Sequence, residues 1–241
     1  FILRHYGVSS RKMNKYLKDA TPCIILSVIS VIVFFNTVSN AFVYDDSVTV
    51  VHNSLIKNWK NIHSLFSFHY FMLSGELSYR PVVTLSYFID YFLWGLNPVG
   101  FHLTNIFLHA GNTILFYFFL KRVVKANTSA FIAALLFTTH PVLTETLNSV
   151  SYREDILAAL FFLIAEKSLT PGKFVLYYAI ALLSYLLSLF SKETSVVLPI
   201  LMVLFHVFCS SSTNTLHAMI KRTKWSYLGY FIITGFYLFV R

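Results

Sequence analysis

Long apolar stretches recur along almost the whole chain, and this feature constrains the fold more than any other. They lie near residues 22 to 43, 103 to 120, 129 to 147, 154 to 169, 173 to 190, 194 to 209 and 225 to 240. Each is close to the ~20 residues that an α-helix needs to cross ~30 Å of hydrocarbon. The pattern predicts an all-α, polytopic membrane protein whose seven stretches each cross the bilayer.

The composition leaves little room for a soluble domain. Of the 241 residues, 56% are hydrophobic and 12% are charged, whereas about 25% charged residues is usual in soluble domains. We therefore expect a single transmembrane domain over residues 1 to 241. The chain begins with Phe1 and its last apolar stretch runs out at Arg241, so we expect it to be a piece of a longer protein.

The chain has a formal net charge of +9. This excess of basic residues indicates contact with membrane lipids and no nucleic-acid partner. The lysines and arginines come in short runs between the apolar stretches. Residues in such runs set the orientation of a membrane protein and touch anionic lipid.

The segment from 81 to 96 decides the topology. It is short for a crossing and contains Asp90, so it either crosses or lies flat as an interfacial helix. If it lies flat, 13 of the 19 lysines and arginines fall on the cytoplasmic side, and if it crosses only eight do. The positive-inside rule therefore favours a flat helix, a cytoplasmic amino terminus over residues 1 to 21 and an external loop over residues 44 to 102. The sequon at Asn127 then faces the cytoplasm and carries no glycan.

This topology brings the reactive side chains of the loops to the external side of the membrane. They belong to the first loop and to two later turns, and are Asp45, Asp46, Arg80 and His102, the turn over 140 to 155, and the turn over 191 to 194. We expect the functional site on this side.

A polar stripe runs along the stretch that follows the first external loop. His102, Asn105, His109 and Asn112 fall at i, i+3, i+7 and i+10, which is one face of a helix. Such side chains face a bundle interior or a wet cavity, and the alternative is that they form hydrogen bonds between helices. His102 is nearest the external surface, so it is the one expected to meet a ligand. No two of these histidines have the i, i+4 spacing of a helical metal pair, so we expect no metal site.

Arg153, Glu154 and Asp155 stand where an external turn becomes a helix. The amino-terminal end of a helix favours anions, and an arginine there suits a phosphate. The alternative is that the two carboxylates only complement the helix dipole while Arg153 reaches toward the headgroups.

Two further external boundaries carry polar side chains. Lys192 and Glu193 either contribute to a site or simply pair with each other. Proline lacks a donor and disfavours helix for the residue before it, so His140 and Pro141 predict an opening of the backbone toward the external side.

Asp45 and Asp46 are adjacent carboxylates in YDDSVTVVHN, directly after the first apolar stretch. Like charges this close oppose each other's ionisation, so we expect the pKa of one carboxyl to be raised, as suits a general base near neutral pH. The alternative is an exposed loop pair without such a role. The sequence contains no G-x-S-x-G, Walker, H-E-x-x-H or Rossmann motif, so hydrolase, nucleotide-binding and metalloprotease functions have no support.

Four motifs together resemble a known family. They are FVYDD, SYRPVVTLSYFIDYFLWGLNPVGFHLTNIFLHAGN, HPVLTETLNSVSYREDILAALFF and FSKETSVVLP, within about residues 40 to 200. In these motifs the chain is similar to the membrane domain of the tetratricopeptide-repeat protein O-mannosyltransferases. The motifs resemble those of the bacterial members more than those of the animal members.

The resemblance implies a GT-C fold with short interfacial helices in the first external loop. It implies an enzyme that moves a sugar, mannose in this family, from a polyprenyl-phosphate donor to an acceptor hydroxyl, such as a protein Ser or Thr, with inversion. The reaction takes place at the external or luminal face of a bacterial inner membrane or an endoplasmic reticulum membrane. Members carry more spans and then tetratricopeptide repeats, neither of which occurs within residues 1 to 241.

The resemblance also assigns roles to residues, without a metal or cofactor. One member of the Asp45 and Asp46 pair becomes the catalytic base. The donor phosphate is assigned to Arg80, His102, Arg153 and Lys192, and the supporting polar residues are Asn105, His109, His140, Glu145, Glu154, Asp155 and Glu193.

Two other functions compete with this hypothesis. The first is a catalytically silent GT-C-like module that serves as a structural subunit of a larger membrane assembly. The second is a transporter built around the polar stripe, which requires polar residues at the cytoplasmic end of several spans. The stretch ILFYFFL over residues 114 to 120 is apolar there, which disfavours the transporter.

Overall fold

The computed structural model describes residues 10–67, 69–124, 126–168, 174–209 and 216–240. The regular secondary structure of this part of the chain is entirely helical, with no strand, so the all-α prediction is confirmed. Its α-helices, in chain order, are α1 (Ser10–Phe34), α2 (His69–Ser74), α3 (Pro81–Trp94), α4 (Pro98–Val124), α5 (Asn127–Thr138), α6 (Leu143–Asn148), α7 (Arg153–Ser168), α8 (Phe174–Leu189), α9 (Leu198–Cys209) and α10 (Leu216–Val240).

Four tighter or wider helical segments connect these helices. They are the 3₁₀ segments Phe35–Ser39, Trp59–Phe66 and Glu193–Val197 and the π-helical turn Ser47–Val51. The π-helical turn follows directly on the aspartate pair and therefore shapes the start of the first loop.

Two helical stretches are long and apolar enough to cross a membrane, Ala20–Ser39 and Pro98–Val124. Shorter apolar helices cover Asn127–Thr138, Val175–Leu189, Glu193–Leu204 and Tyr227–Phe239. Their outer faces carry large apolar side chains that none of the described residues covers, such as Ile32 at 69% exposed and Val175 at 84%. Apolar surface of this extent supports a membrane protein, while seven crossings remain a prediction.

The stretch predicted to span near residues 129 to 147 is not one continuous helix. Helix α5 ends at Thr138 and α6 begins only at Leu143. Pro141 causes the break, since it lacks an N–H and disfavours helix at His140. The imidazole Nδ1 of His140 accepts the Val142 N–H at 3.2 Å and fixes the turn.

Helix α4 lies at the centre of the bundle and sets the direction of its neighbours. Helix α1 runs antiparallel to it, because Phe34 packs on His109 at 5.3 Å between ring centroids while Phe42, further along the chain, packs on Phe101 at 5.5 Å. Helix α7 runs parallel to α4, since Arg153 meets Asn105 at one end and Arg122 meets Glu166 at the other. The start of α4, the start of α7 and the end of α1 therefore meet at the same end.

Helix α3 covers that end. It begins at Pro81, where proline is well tolerated, and ends before Gly95, whose φ of +60° suits glycine. Val83 and Tyr87 are buried against the core, whereas Phe92 and Leu93 are exposed. The helix predicted for residues 81 to 96 is therefore present, and its flat orientation in the membrane surface remains a prediction.

Candidate functional site

The aspartate pair sits on a sharp turn of the backbone. Tyr44 has φ of +50°, in the left-handed region that a bulky residue rarely adopts. The π-helical turn then starts at Ser47. The two features turn adjacent side chains apart, so that Asp45 is exposed and Asp46 is fully buried.

Asp46 is a structural clamp. Its Oδ1 accepts the Ser151 N–H at 2.6 Å and the Ser149 hydroxyl at 2.9 Å, and its Oδ2 accepts the N–H groups of Val43 at 3.0 Å and Val150 at 3.1 Å. Bonds to an ionised acceptor are stronger than neutral ones. The carboxylate thus fastens the first loop to the turn before α7.

Asp45 faces a small cleft instead. The cleft holds about 50 Å³ and opens between the first loop, α3 and the start of α7. Its polar lining includes Asp45, Glu76, Arg80, Tyr87, Tyr152 and Glu154. Three carboxylates, a guanidinium and two phenol groups therefore share one opening.

Arg80 and Lys192 are held beside this cleft by a shared network of carboxylates. Arg80 forms ion pairs with Glu154 and, at 3.4 Å, with Glu193. Lys192 pairs with Glu154 at 3.0 Å and with Asp155 at 2.6 Å. Burial alone lowers the pKa of Lys192, but the two carboxylates outweigh it and raise that pKa, so both cations stay charged.

Arg153 does not reach the cleft, contrary to its predicted role in phosphate binding. Its side chain is fully buried and pairs with Asp90 at 2.6 Å. It also donates to the Asn105 Oδ1 at 2.6 Å and to the Phe101 carbonyl at 2.9 Å, and its guanidinium lies 4.9 Å from the centre of the Tyr87 ring. The guanidinium therefore joins α3, α4 and α7 and has no face left for a ligand.

The polar stripe of α4 turns into the protein interior and bonds between elements, which is the alternative given above. All four side chains are buried. Their partners are the Leu147 carbonyl for His102 at 3.3 Å, Arg153 for Asn105, the Thr138 carbonyl for His109 at 3.3 Å, and the Ile156 carbonyl for Asn112 at 2.8 Å. His102 is 0% exposed, so its predicted contact with the donor phosphate does not fit its position.

The two remaining predicted residues lie on the surface beyond the cleft. His140 and Glu145 are both exposed, at the turn before α6 and on α6. The charge of Glu145 is the main cause of a raised pKa for Tyr152, which lines the cleft. Glu145 therefore acts on the cleft only through Tyr152.

Sequence reasoning missed Glu76. The residue is half-buried in the cleft wall, and its Oε2 accepts the Tyr70 hydroxyl at 2.8 Å. A signal was available, because Glu76 is the one acidic residue between Asp46 and Asp90. The sequence alone does not show that Glu76 accepts a hydrogen bond from Tyr70, because only the fold brings the two side chains together.

Metal-binding clusters are absent from the described ranges. No group of three or more His, Cys, Asp or Glu side chains there could hold a metal ion. The chemistry that the described residues offer is that of carboxylates, phenols and two paired cations.

Several curated proteins are similar to this chain. Protein O-mannosyl-transferase TMTC2 of Mus musculus is 34% identical over 147 residues, which is 59% of this chain and 18% of the mouse protein. Protein O-mannosyl-transferase TMTC1 of Mus musculus is 33% identical over 174 residues, 68% of this chain and 18% of that protein. Protein O-mannosyl-transferase TMTC4 of Homo sapiens is 32% identical over 161 residues, 59% of this chain and 22% of that protein.

The matched part of the chain thus spans about a fifth of the length of these relatives. No protein-family model matches the chain. No solved structure matches it either.

Proposed function

We propose that this chain, which is similar to curated protein O-mannosyl-transferases, transfers mannose from a polyprenyl-phosphate donor to a hydroxyl of an acceptor protein. The transfer takes place at the external or luminal face of a bacterial inner membrane or of the endoplasmic reticulum. The single observation that carries the proposal is the cleft in which the exposed Asp45 and the ion-paired Arg80 lie together.

Asp45 is the proposed general base. In an inverting displacement the acceptor oxygen attacks the anomeric carbon, and the bond between that carbon and the phosphate oxygen breaks. The acceptor hydroxyl loses its proton in the same step, and a carboxylate at the cleft surface can receive it. Asp46 is not available for this step, because its oxygens accept four hydrogen bonds from the protein.

Arg80 is the proposed contact for the donor phosphate. It lines the cleft, and guanidinium groups bind phosphate through paired hydrogen bonds. Its carboxylate partners, Glu154 and Glu193, hold it in place until the donor arrives. Lys192 lies one ion pair further out, on the other side of Glu154, and adds positive charge without lining the cleft.

The cleft also bears on the competing scaffold function. A module retained only for assembly predicts a closed, lipid-packed external face. An open cleft that contains an exposed carboxylate and a charged arginine supports catalysis over assembly.

The proposal is tested by mannose transfer in liposomes. The protein is reconstituted with radiolabelled mannosyl-phosphoryl-polyprenol, and membrane protein extract serves as the acceptor. We expect label on protein and, for Arg80→Met, a donor KM that rises roughly tenfold or more, as the loss of a charged hydrogen bond predicts.

Arg122→Met is the matched control. Arg122 is also paired with a carboxylate, Glu166 at 3.0 Å, but at the opposite end of α4 and α7. Its variant keeps the donor KM of the unchanged protein. Absence of transfer by the unchanged protein contradicts the proposed function, and equal effects of the two arginine variants contradict the role of Arg80.

A further inference from the structure

Glu76 is a second carboxyl group in the cleft wall, separate from Asp45. It lies in the loop between α2 and α3, and its N–H donates to the Ser74 hydroxyl at 3.2 Å. Its Oε1 is buried and has no hydrogen-bond partner within the described ranges. A buried carboxyl oxygen without a partner is costly when ionised and is far better tolerated when the group carries a proton.

Tyr70 fixes the other oxygen of Glu76. Its hydroxyl donates to Oε2 at 2.8 Å and lies 2.9 Å from the Thr84 hydroxyl, so a chain of hydroxyl groups on α2 and α3 holds the carboxyl group. Burial raises the pKa of Tyr70 well above its ordinary value, so Tyr70 remains a neutral donor.

The charges that face Glu76 act in opposite directions. Burial is the largest effect and raises the pKa of Glu76, the Tyr70 hydrogen bond and the Arg80 charge lower it, and Glu154 raises it further, so that the net pKa is about 7. Asp45, Tyr87 and Tyr152 line the same cleft. Arg80 is itself raised in pKa by its carboxylates, against the lowering effect of burial, so it stays charged throughout this pH range.

The charge balance of the cleft makes the protonated form useful. Asp45, Glu76 and Glu154 face one arginine, so an anionic phosphate would enter a negative cleft if all three were ionised. A proton on Glu76 removes one of these charges and places a donor beside Arg80. Pairs of carboxyl groups with different environments divide the roles of acid and base in several enzymes.

We propose that Glu76 is the general acid that protonates the departing phosphate. This inference rests on the proposed transferase function. As the acceptor oxygen bonds to the anomeric carbon, the bond from that carbon to the phosphate oxygen breaks and its electron pair stays on oxygen. Asp45 takes the hydroxyl proton and Glu76 gives its proton to a phosphate oxygen, so the net reaction moves one proton from acceptor to polyprenyl phosphate. Proton exchange with water resets both groups.

Glu76→Gln tests the role directly, because the amide keeps the shape and neutrality of the acid but cannot give up a proton in the same way. In the liposome assay we expect kcat to fall roughly 100-fold, as the loss of an acid catalyst predicts, while the donor KM stays close to that of the unchanged protein. The unchanged protein should lose activity as the pH rises through about 7, and this basic limb should be absent in the variant.

Tyr70→Phe provides a second and independent test. Since the Tyr70 hydrogen bond lowers the pKa of Glu76, its removal raises that pKa and moves the basic limb to higher pH. Tyr79→Phe is the matched control, because Tyr79 packs against Tyr70 at 5.1 Å but donates to the Leu65 carbonyl at 2.9 Å instead of to Glu76. Its basic limb should stay in place.

The outcomes separate this inference from the proposed function. If the unchanged protein transfers no mannose, the transferase proposal fails and Glu76 has no reaction to serve. If the unchanged protein is active but Glu76→Gln keeps both its kcat and its basic limb, the general-acid role is overturned and the transferase proposal stands. If activity falls at the same pH in Tyr70→Phe and Tyr79→Phe, the link between Tyr70 and the pKa of Glu76 is likewise overturned.

Discussion

At the scale of single residues, two adjacent aspartates have unlike tasks because the backbone turns between them. The left-handed Tyr44 costs of the order of 1–3 kcal/mol. The three hydrogen bonds that Asp46 accepts from Ser149, Val150 and Ser151 offset that cost by tying the turn to these residues. The clamp leaves Asp45 at the surface of the cleft. Asp46 therefore serves stability, and Asp45 stays exposed, as its proposed role as the base requires.

Asp46→Asn should destabilise the protein by about 2 kcal/mol. The carboxamide NH₂ group faces at least one backbone N–H on either side of the site, that of Ser151 on one and those of Val43 and Val150 on the other, so at least one buried bond is lost and one N–H is left unsatisfied. Equilibrium unfolding in mixed micelles measures the change, and Asp45→Asn is the matched control, with an unfolding midpoint close to that of the unchanged protein. Equal midpoints for the two variants would show that Asp46 is not a clamp.

At the scale of elements, the buried pair of Asp90 and Arg153 organises the end of the bundle that carries the cleft. Asp90 lies on α3 and Arg153 opens α7, and Arg153 also bonds to Asn105 on α4. The 2.6 Å ion pair lies in a fully buried setting, where each charge depends on the other. The position of α3 over the cleft therefore depends on this pair.

A double-mutant cycle measures this dependence. Asp90→Asn and Arg153→Met each leave a buried charge without its partner, which costs roughly 3–5 kcal/mol. The double variant should lose less stability than the sum of the two single variants, with a coupling of about 1–3 kcal/mol, as contacting residues show. Additive losses in equilibrium unfolding would contradict a direct ion pair.

The helices themselves were largely predictable from the sequence, whereas their polar contacts were not. Apolar length located α4, α7 and α8 within a few residues, because burial in lipid requires it. The interior position of the stripe from His102 to Asn112 followed from its spacing. The pairing of Arg153 with Asp90 did not, because the two residues lie far apart in the sequence and the place of Asp90 in α3 suggested an interfacial residue.

At the scale of the whole molecule, the two ends of the bundle differ in charge. One end carries the aspartate pair, the cleft and the network of Arg80 and Lys192, and the other carries the pair of Arg122 and Glu166 with Lys121 and Lys167 resting over aromatic rings. This separation agrees with an orientation that places the second end in the cytoplasm. Charge counts along the sequence suggested which end of the bundle carries the reactive side chains. They could not show that His102 and Arg153 are buried away from the cleft or that Glu76 lines it, because both facts follow from the fold.

The catalytic base is tested most directly by kcat for mannose transfer in Asp45→Asn, compared with Glu166→Gln as the same carboxylate-to-amide change at the opposite end of α7. The account predicts that Asp45→Asn lowers kcat by roughly 100-fold or more, as loss of a general base does, with an unchanged unfolding midpoint. Glu166→Gln should keep kcat within about twofold of the unchanged protein, since a residue that touches no reacting group contributes little to the barrier. Undiminished transfer by a folded Asp45→Asn variant would contradict the account.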